Sequence, residues 1–173
     1  MSGDSVALDT SVAIAVLAGQ AGTLLTQSTE EVLLPVPVIG ELRYGALNSK
    51  RHTENLLEVE RLVSRCRVLE ITAATAAVYA RLRLRLKEKG KPIPENDLWI
   101  AALCVEHQVS LVTVDGHFDV IEELGRKGGD LEERLGGQCL EDPQPLHLPV
   151  HPLSQRNARM EKILIGIFDR WPK

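Results

Sequence analysis

Aromatic side chains are scarce in this chain of 173 residues, which holds two each of Trp, Tyr and Phe. Proteins that grip single-stranded nucleic acid by stacking bases need aromatic platforms, so a stacking module is excluded. Positive charge is also short. Lys and Arg number 20 against 24 Asp and Glu, a formal net charge of -4. Coating nucleic acid through bulk charge calls for the opposite sign, so any phosphate contact must come from a local patch. Cysteine is limited to Cys66, Cys104 and Cys139, widely spaced and with no Cys-x-x-Cys pair. That arrangement suits reduced structural thiols rather than disulfides or zinc. No apolar run reaches the length of about 18 residues that a transmembrane helix needs, and Met1-Ser-Gly-Asp-Ser lacks the basic leader of a secretion signal. The expectation is a cytoplasmic protein with no membrane contact.

What is present is a 44% hydrophobic chain, long enough to bury one core and most simply read as one domain with an appendage. Residues 5–8, 31–34, 67–71 and 110–113 read as strands, the second ended by Pro35 and Pro37. Helical patterns fall at 12–18, with Thr10 or Ser11 as N-cap, at 38–47, up to Arg65, at 73–88 before Gly90, at 98–106 opened by Asn96 or Asp97, and at 120–124. Strands separated by helices predict an α/β fold with a central parallel sheet of four to five strands and right-handed crossovers. Gly125-Arg-Lys-Gly-Gly and Gly136-Gly are loop-like and lack the Gly-Lys-Ser/Thr of a phosphate loop. Four of the nine prolines lie between Glu141 and Pro152. The chain therefore divides into a core, residues 1–135, and an extension, residues 136–173: a proline-rich connector and a helix over about 153–170. Met160, Ile163, Leu164, Ile167, Phe168 and Trp171 share one face of that helix, which calls for burial on the core or a second copy. His147 and His151 are four apart, but Pro149 and Pro152 rule out a zinc-binding helix there.

Four acids stand where strands hand over to helices or in a helix's first turn: Asp9, Glu41, Asp97 and Asp115. In an open α/β sheet, ligands bind at the carboxyl edge of the strands, so the four can converge on one pocket. Carboxylates brought together repel and raise one another's pKa, and divalent cations normally hold such clusters. Hard oxygen ligands suit Mg²⁺ or Mn²⁺. Taken singly, each acid has an ordinary reading. Asp97 suits a helix cap, and Glu41 suits the positive end of a helix dipole. Four in matching contexts favour a metal-dependent enzyme acting on phosphate esters.

The motifs Leu8-Asp-Thr-Ser, Glu41-Leu-Arg-Tyr-Gly-Ala, Pro92-Ile-Pro-Glu-Asn-Asp-Leu-Trp-Ile-Ala-Ala and Leu111-Val-Thr-Val-Asp-Gly-His-Phe, in that order over residues 5–124, resemble the PIN-domain nucleases. Within that family they are similar to the toxin subunits of VapBC-type toxin–antitoxin pairs. The resemblance implies a PIN-like fold and a Mg²⁺- or Mn²⁺-dependent endoribonuclease whose acidic quartet is Asp9, Glu41, Asp97 and Asp115. It also implies an RNA substrate and a small antitoxin, which is expected to insert a basic residue among the acids because a guanidinium bonds two carboxylate oxygens at once. A homodimer is expected on the frequency of isologous pairs. Val114 and Gly116 depart from the polar or basic residues often found around the last acid.

Accessory readings attach to neighbouring positions. Thr113, two residues before Asp115, is placed to offer its hydroxyl to a water on the metal. Asn96 is a loop or capping residue with a supporting role toward the acids, and Asp119 is either a fifth acid or an exposed one. His117 reads as a packing or supporting residue beside Phe118, with a general base as the alternative. Arg81, Arg83, Arg85 and Lys87, continued by Lys89 and Lys91, form the one concentrated basic stretch, read either as a solvated helix face or as a track for RNA phosphates. Three other functions compete. A PIN nuclease of ordinary RNA processing would lack the antitoxin, and a non-catalytic module would use the acids only to hold a basic partner. A haloacid-dehalogenase-like phosphatase needs a second Asp two residues after Asp9, where Ser11 stands.

Overall fold

The computed structural model describes residues 5–19 and 31–127, and the expected extension 136–173, with Cys139, His147 and His151, lies outside them. Strand β1, Ser5–Leu8, buries Val6, Ala7 and Leu8, the continuous apolar run expected of a parallel strand covered on both faces. Parallel to it run β2, Glu31–Pro35, and β4, Ser110–Val112, with Ala7 in register with Leu33 on one side and Leu111 on the other. Strand β3, Arg67–Leu69, extends the sheet beyond β2, and the two-residue β5, Arg126–Lys127, extends it beyond β4. The order is β3-β2-β1-β4-β5, all parallel. The chain builds outward from β1 to β3 and then returns to β1's other side, so the strand order reverses between β1 and β4. That switch point opens a crevice at the carboxyl ends of these two strands.

The expected α/β class and parallel sheet are found, with boundaries that differ for physical reasons. Helix α1 is Thr10–Leu17, starting two residues and ending one residue earlier than expected, and its N-cap is Asp9 rather than Thr10 or Ser11. Helix α2 is Val36–Leu47, not 38–47. Pro35 sits at its N-cap and Pro37 in its first turn, where a missing N–H leaves no bond unmade. Glu41 therefore lies in the second turn of α2 and not the first. Helix α3, His52–Arg65, folds back on α2, and Arg43 clamps Glu60 with two bonds of 2.8 and 3.0 Å. Strand β3 stops at Leu69, short of the expected Ile71, because the chain must turn into Thr72, the N-cap of α4, Ala73–Glu88. Thr72 and Thr75 form a reciprocal capping box there.

Helix α5, Glu95–His107, begins three residues before the expected 98, capped by Pro94 rather than Asn96 or Asp97. It lies against α4, with the Tyr79 and Trp99 rings stacked at 4.0 Å. In place of the helix expected at 120–124, a 3₁₀ turn covers Gly116–Val120, and residues 126–127, read as loop, add the fifth strand. The core runs through the sheet and the inner helix faces: Leu8, Leu34, Leu42, Ile100, Leu103, Leu111 and Phe118 are all fully buried. Among the described residues, no helix is long and apolar enough to cross a membrane.

Candidate active site

Asp9 is the residue that follows β1, and its backbone N–H still bonds to the Val112 carbonyl at 3.0 Å. Its side chain is thereby fixed at the switch point. Three donors converge on it: the Thr10 N–H at 2.7 Å, the Ser11 hydroxyl at 2.8 Å and the Thr113 hydroxyl at 2.9 Å. Burial is the largest influence on its pKa, raising it, and these three bonds pull the other way. The carboxylate is thus both the cap of α1 and a member of the site.

Thr113 ties the two central strands together. Buried just past β4, it donates to Asp9 and accepts the Asp115 N–H at 2.9 Å. Its hydroxyl hydrogen is committed to Asp9, not to a water. Asp115 caps the 3₁₀ turn by accepting the His117 N–H at 2.8 Å on Oδ1. Glu41 reaches the same crevice from α2. It accepts the Thr10 hydroxyl in a short bond and the Asn96 amide at 2.7 Å, so Asn96 holds Glu41 beside the first turn of α5.

Asp97, also in that first turn, has a side chain only 14% exposed. Its pKa is pushed from an ordinary 3.8 to about 7, by burial first and then by the charges of Asp9, Asp115 and Glu41. Asp97 is the member on which the repulsion of the cluster is concentrated. No Lys or Arg of the described residues forms an ion pair with any of the four acids. Oxygen donors facing one another without a balancing side chain form a donor set that fits a small hard divalent cation.

The remaining expected residues fall elsewhere. Asp119 has a side chain 61% exposed and pairs with Arg126, which ties it to the sheet edge rather than to the acids. Among the basic residues of α4, Arg83 donates to the Tyr79 hydroxyl at 2.7 Å and lies 3.6 Å from Glu95. Arg85 pairs with Glu123, and Lys89 with Glu122 at 2.7 Å. Arg85 and Lys89 rim a cleft of about 410 Å³ between α4 and residues 120–123 that shares no lining residue with the acids. The chain's own carboxylates thus neutralise part of this face, and Arg81 and Lys87 form no ion pair among the described residues.

One contribution was not drawn from the sequence. Thr10 and Ser11, read there as caps, place their hydroxyls on Glu41 and Asp9 instead; short hydroxyls directly after a strand-ending Asp were the available signal. His117, read as a packing or supporting residue, stands beside the acids. Its Nδ1 lies 2.9 Å from Asp115 and 3.7 Å from Asp97 Oδ2, and one donor atom from each of the three falls within 4.8 Å of the others.

A parallel sheet with the order found here, its acids gathered at the switch point, makes this an α/β protein with an acidic crevice, and comparison with known proteins gives it a family. The model of the PIN domain matches residues 6–124, and the chain belongs to that family. The curated relatives that resemble it are VapC proteins. Ribonuclease VapC5 of Mycobacterium tuberculosis is 32% identical over 124 residues, covering 66% of this chain and 86% of the relative. Ribonuclease VapC2 of Rickettsia felis is 34% identical over 76 residues, 44% of this chain, and there the chain spans only 57% of the relative. Among solved structures, VapBC2 from Rickettsia felis bound to a DNA fragment from its promoter superposes with a TM-score of 0.64 at 25% identity, covering 71% of this chain and 97% of that one. VapBC from Salmonella typhimurium, also DNA-bound, gives 0.64 at 25% identity over 72% and 98%.

Proposed function

We propose that this protein is a divalent-metal-dependent endoribonuclease of the VapC type, the toxin of a type II pair held in check by a small antitoxin. The observation that carries the reading is the convergence of Asp9, Glu41, Asp97 and Asp115 at the β1–β4 switch point, with Asp97 pushed to a pKa of about 7 by burial and then by the charges of its neighbours. A cluster of like charges in that state repels the phosphate backbone of RNA unless a cation lies between them. Asp9, Asp97 and Asp115, with Glu41, would hold Mg²⁺ or Mn²⁺. Bound there, the cation supplies Lewis-acid polarisation of the phosphodiester and a water of lowered pKa. The chain's own groups position the donors: Ser11 and Thr113 aim Asp9, Thr10 and Asn96 aim Glu41, and the 3₁₀ turn aims Asp115.

RNA is taken as the substrate because the similar curated proteins are named ribonucleases, and an antitoxin as partner because similar solved structures are VapBC complexes. A basic side chain of that partner, most suitably Arg, would enter the carboxylate cluster in place of the cation. Pairing of two toxin chains belongs to the same reading, as do Arg81 and Lys87 as contacts for RNA phosphates. The test is cleavage of defined RNAs with Mg²⁺, with Mn²⁺ and with EDTA. Cleavage is expected only with metal, and Asp9→Asn or Asp97→Asn should each lower it at least about a hundredfold, the scale of damage to a metal's ligand shell. Undiminished cleavage by both variants would refute the site.

A further inference from the structure

We propose that His117 is a nitrogen ligand of the cation, completing a mixed site with Asp97 and Asp115 that favours Mn²⁺ over Mg²⁺. The proposal rests on the metal-dependent reading above and adds to it a donor outside the acidic quartet. Its basis is geometric. In an octahedral site with bonds of about 2.1 Å, adjacent donor atoms stand about 3.0 Å apart. The Nδ1 atom of His117 shares a hydrogen bond with Asp115 at 2.9 Å and lies 3.7 Å from Asp97 Oδ2, spacings that bracket such an edge, and the cation would take the place of the proton shared with Asp115.

The local fold keeps the nitrogen there. Asp115 caps the 3₁₀ turn with Oδ1, receiving the His117 N–H, and this turn swings the ring back over the carboxylate whose cap it completes. Oδ1 receives the backbone N–H, and the ring Nδ1 stands 2.9 Å from both carboxylate oxygens. The fully buried Phe118, next in the chain, anchors the same turn in the core. His117 is itself 36% exposed, so an ion arriving from solvent meets the imidazole at the rim while Asp9 lies at the buried end.

The chemical consequence follows from donor type. Mg²⁺ takes oxygen ligands and gives up its waters reluctantly, whereas an imidazole nitrogen suits softer first-row metals. A site of pure carboxylates discriminates weakly between the two ions, and one neutral nitrogen shifts it toward Mn²⁺.

The experiment is electron spin-echo spectroscopy of the full-length protein loaded with Mn²⁺, with competition by Mg²⁺ monitored in the same samples. Nitrogen modulation of the Mn²⁺ signal is expected in the parent, and isotopic labelling of histidine nitrogen should change its frequency. His117→Ala should abolish it, weaken Mn²⁺ roughly tenfold and Mg²⁺ much less, the scale of a lost ligand-shell contact. Should that variant fail to fold, His117→Gln, which keeps a polar side chain without the ring nitrogen, takes its place. Mn²⁺ that binds without nitrogen modulation, or modulation that survives in folded His117→Ala, would overturn the role of His117 and leave the acidic metal site standing. A parent that binds no Mn²⁺ at all would overturn both.

Discussion

Replacing Asp97 by Asn should stabilise the metal-free protein, and the gain should depend on pH. The folded chain holds Asp97 at a pKa of about 7 against an ordinary 3.8, so between these values the folded state binds the proton that the unfolded state has released. Stability must then fall as pH rises through that window. Below the lower value both states are protonated and the group is neutral to folding; above the upper one the penalty is complete. A gap of about 3 pH units at about 1.4 kcal/mol each puts the full penalty at about 4 kcal/mol. Asn keeps the shape of the side chain without the charge, so the variant should gain up to about 4 kcal/mol at about pH 8 and only about 1.5 kcal/mol at about pH 5. For a chain of this size each kcal/mol moves Tm by about 2–4 °C, so the gain is of the order of 10 °C at the higher pH and about 4 °C at the lower. Asp9, whose own pKa is raised chiefly by burial, enters the difference through its charge on Asp97, a repulsion that the variant removes. Thermal melts in EDTA at the two pH values measure it. An equal gain at both, or a loss at the higher pH, would show that Asp97 does not carry the repulsion of the cluster.

Mg²⁺ or Mn²⁺ should raise the Tm of the parent by mass action and that of Asp97→Asn much less, and equal shifts in differential scanning fluorimetry would count against Asp97 as a ligand. Thr113→Val keeps the shape but removes the hydroxyl that joins Asp9 to the Asp115 N–H; leaving those buried groups unpaired should cost about 1–3 kcal/mol in urea unfolding, and an unchanged midpoint would contradict the bridge. Phe118→Ala empties a fully buried position under the 3₁₀ turn and should cost about 3–5 kcal/mol, read by the same melts. Burial, then the charge of Asp9, pushes the Cys104 thiol up to about 12, and burial pushes Cys66 to about 11. Neither forms much thiolate at neutral pH, so alkylation under native conditions should be slow and should become fast on unfolding.

The parts of this molecule that local chemistry governs were legible before the structure. Helix α4 begins at Ala73 and ends at Glu88 as its pattern indicates, since Thr72 caps one end and Gly90, at a φ of 65°, turns the chain at the other. The acids were legible because each follows or opens an element whose period is plain. What could not be read depended on the third dimension. Two prolines looked like a stop but begin α2, because the first turn of a helix has no use for their missing N–H groups; that moved Glu41 along its helix. Strand β5 has two residues and no pattern of its own, and exists because β4 offers it an edge. The alternation of Arg and Leu in 81–86 says nothing of Glu95 or Glu123, which neutralise two of those arginines from other segments. His117 reaches the acids through the curl of a 3₁₀ turn, and neither its neighbours nor its spacing announces that curl.

The Thr113–Asp9 bond spans 104 positions of the chain, and this separation has a consequence during synthesis. Ribosomes add about 5–20 residues each second, so Asp9 leaves the exit tunnel roughly 5–20 s before its partner on β4. Through that interval Asp9 and the segment of α1 have emerged with no far wall for the crevice. A protein whose four carboxylates must meet across nearly its whole described length cannot assemble them on an incomplete chain, and truncated products ending before residue 110 would lack Asp115 and the Thr113 bond to Asp9. The topology itself thus sets a timer on the appearance of the acidic cluster, one that a co-translationally supplied partner would have time to meet.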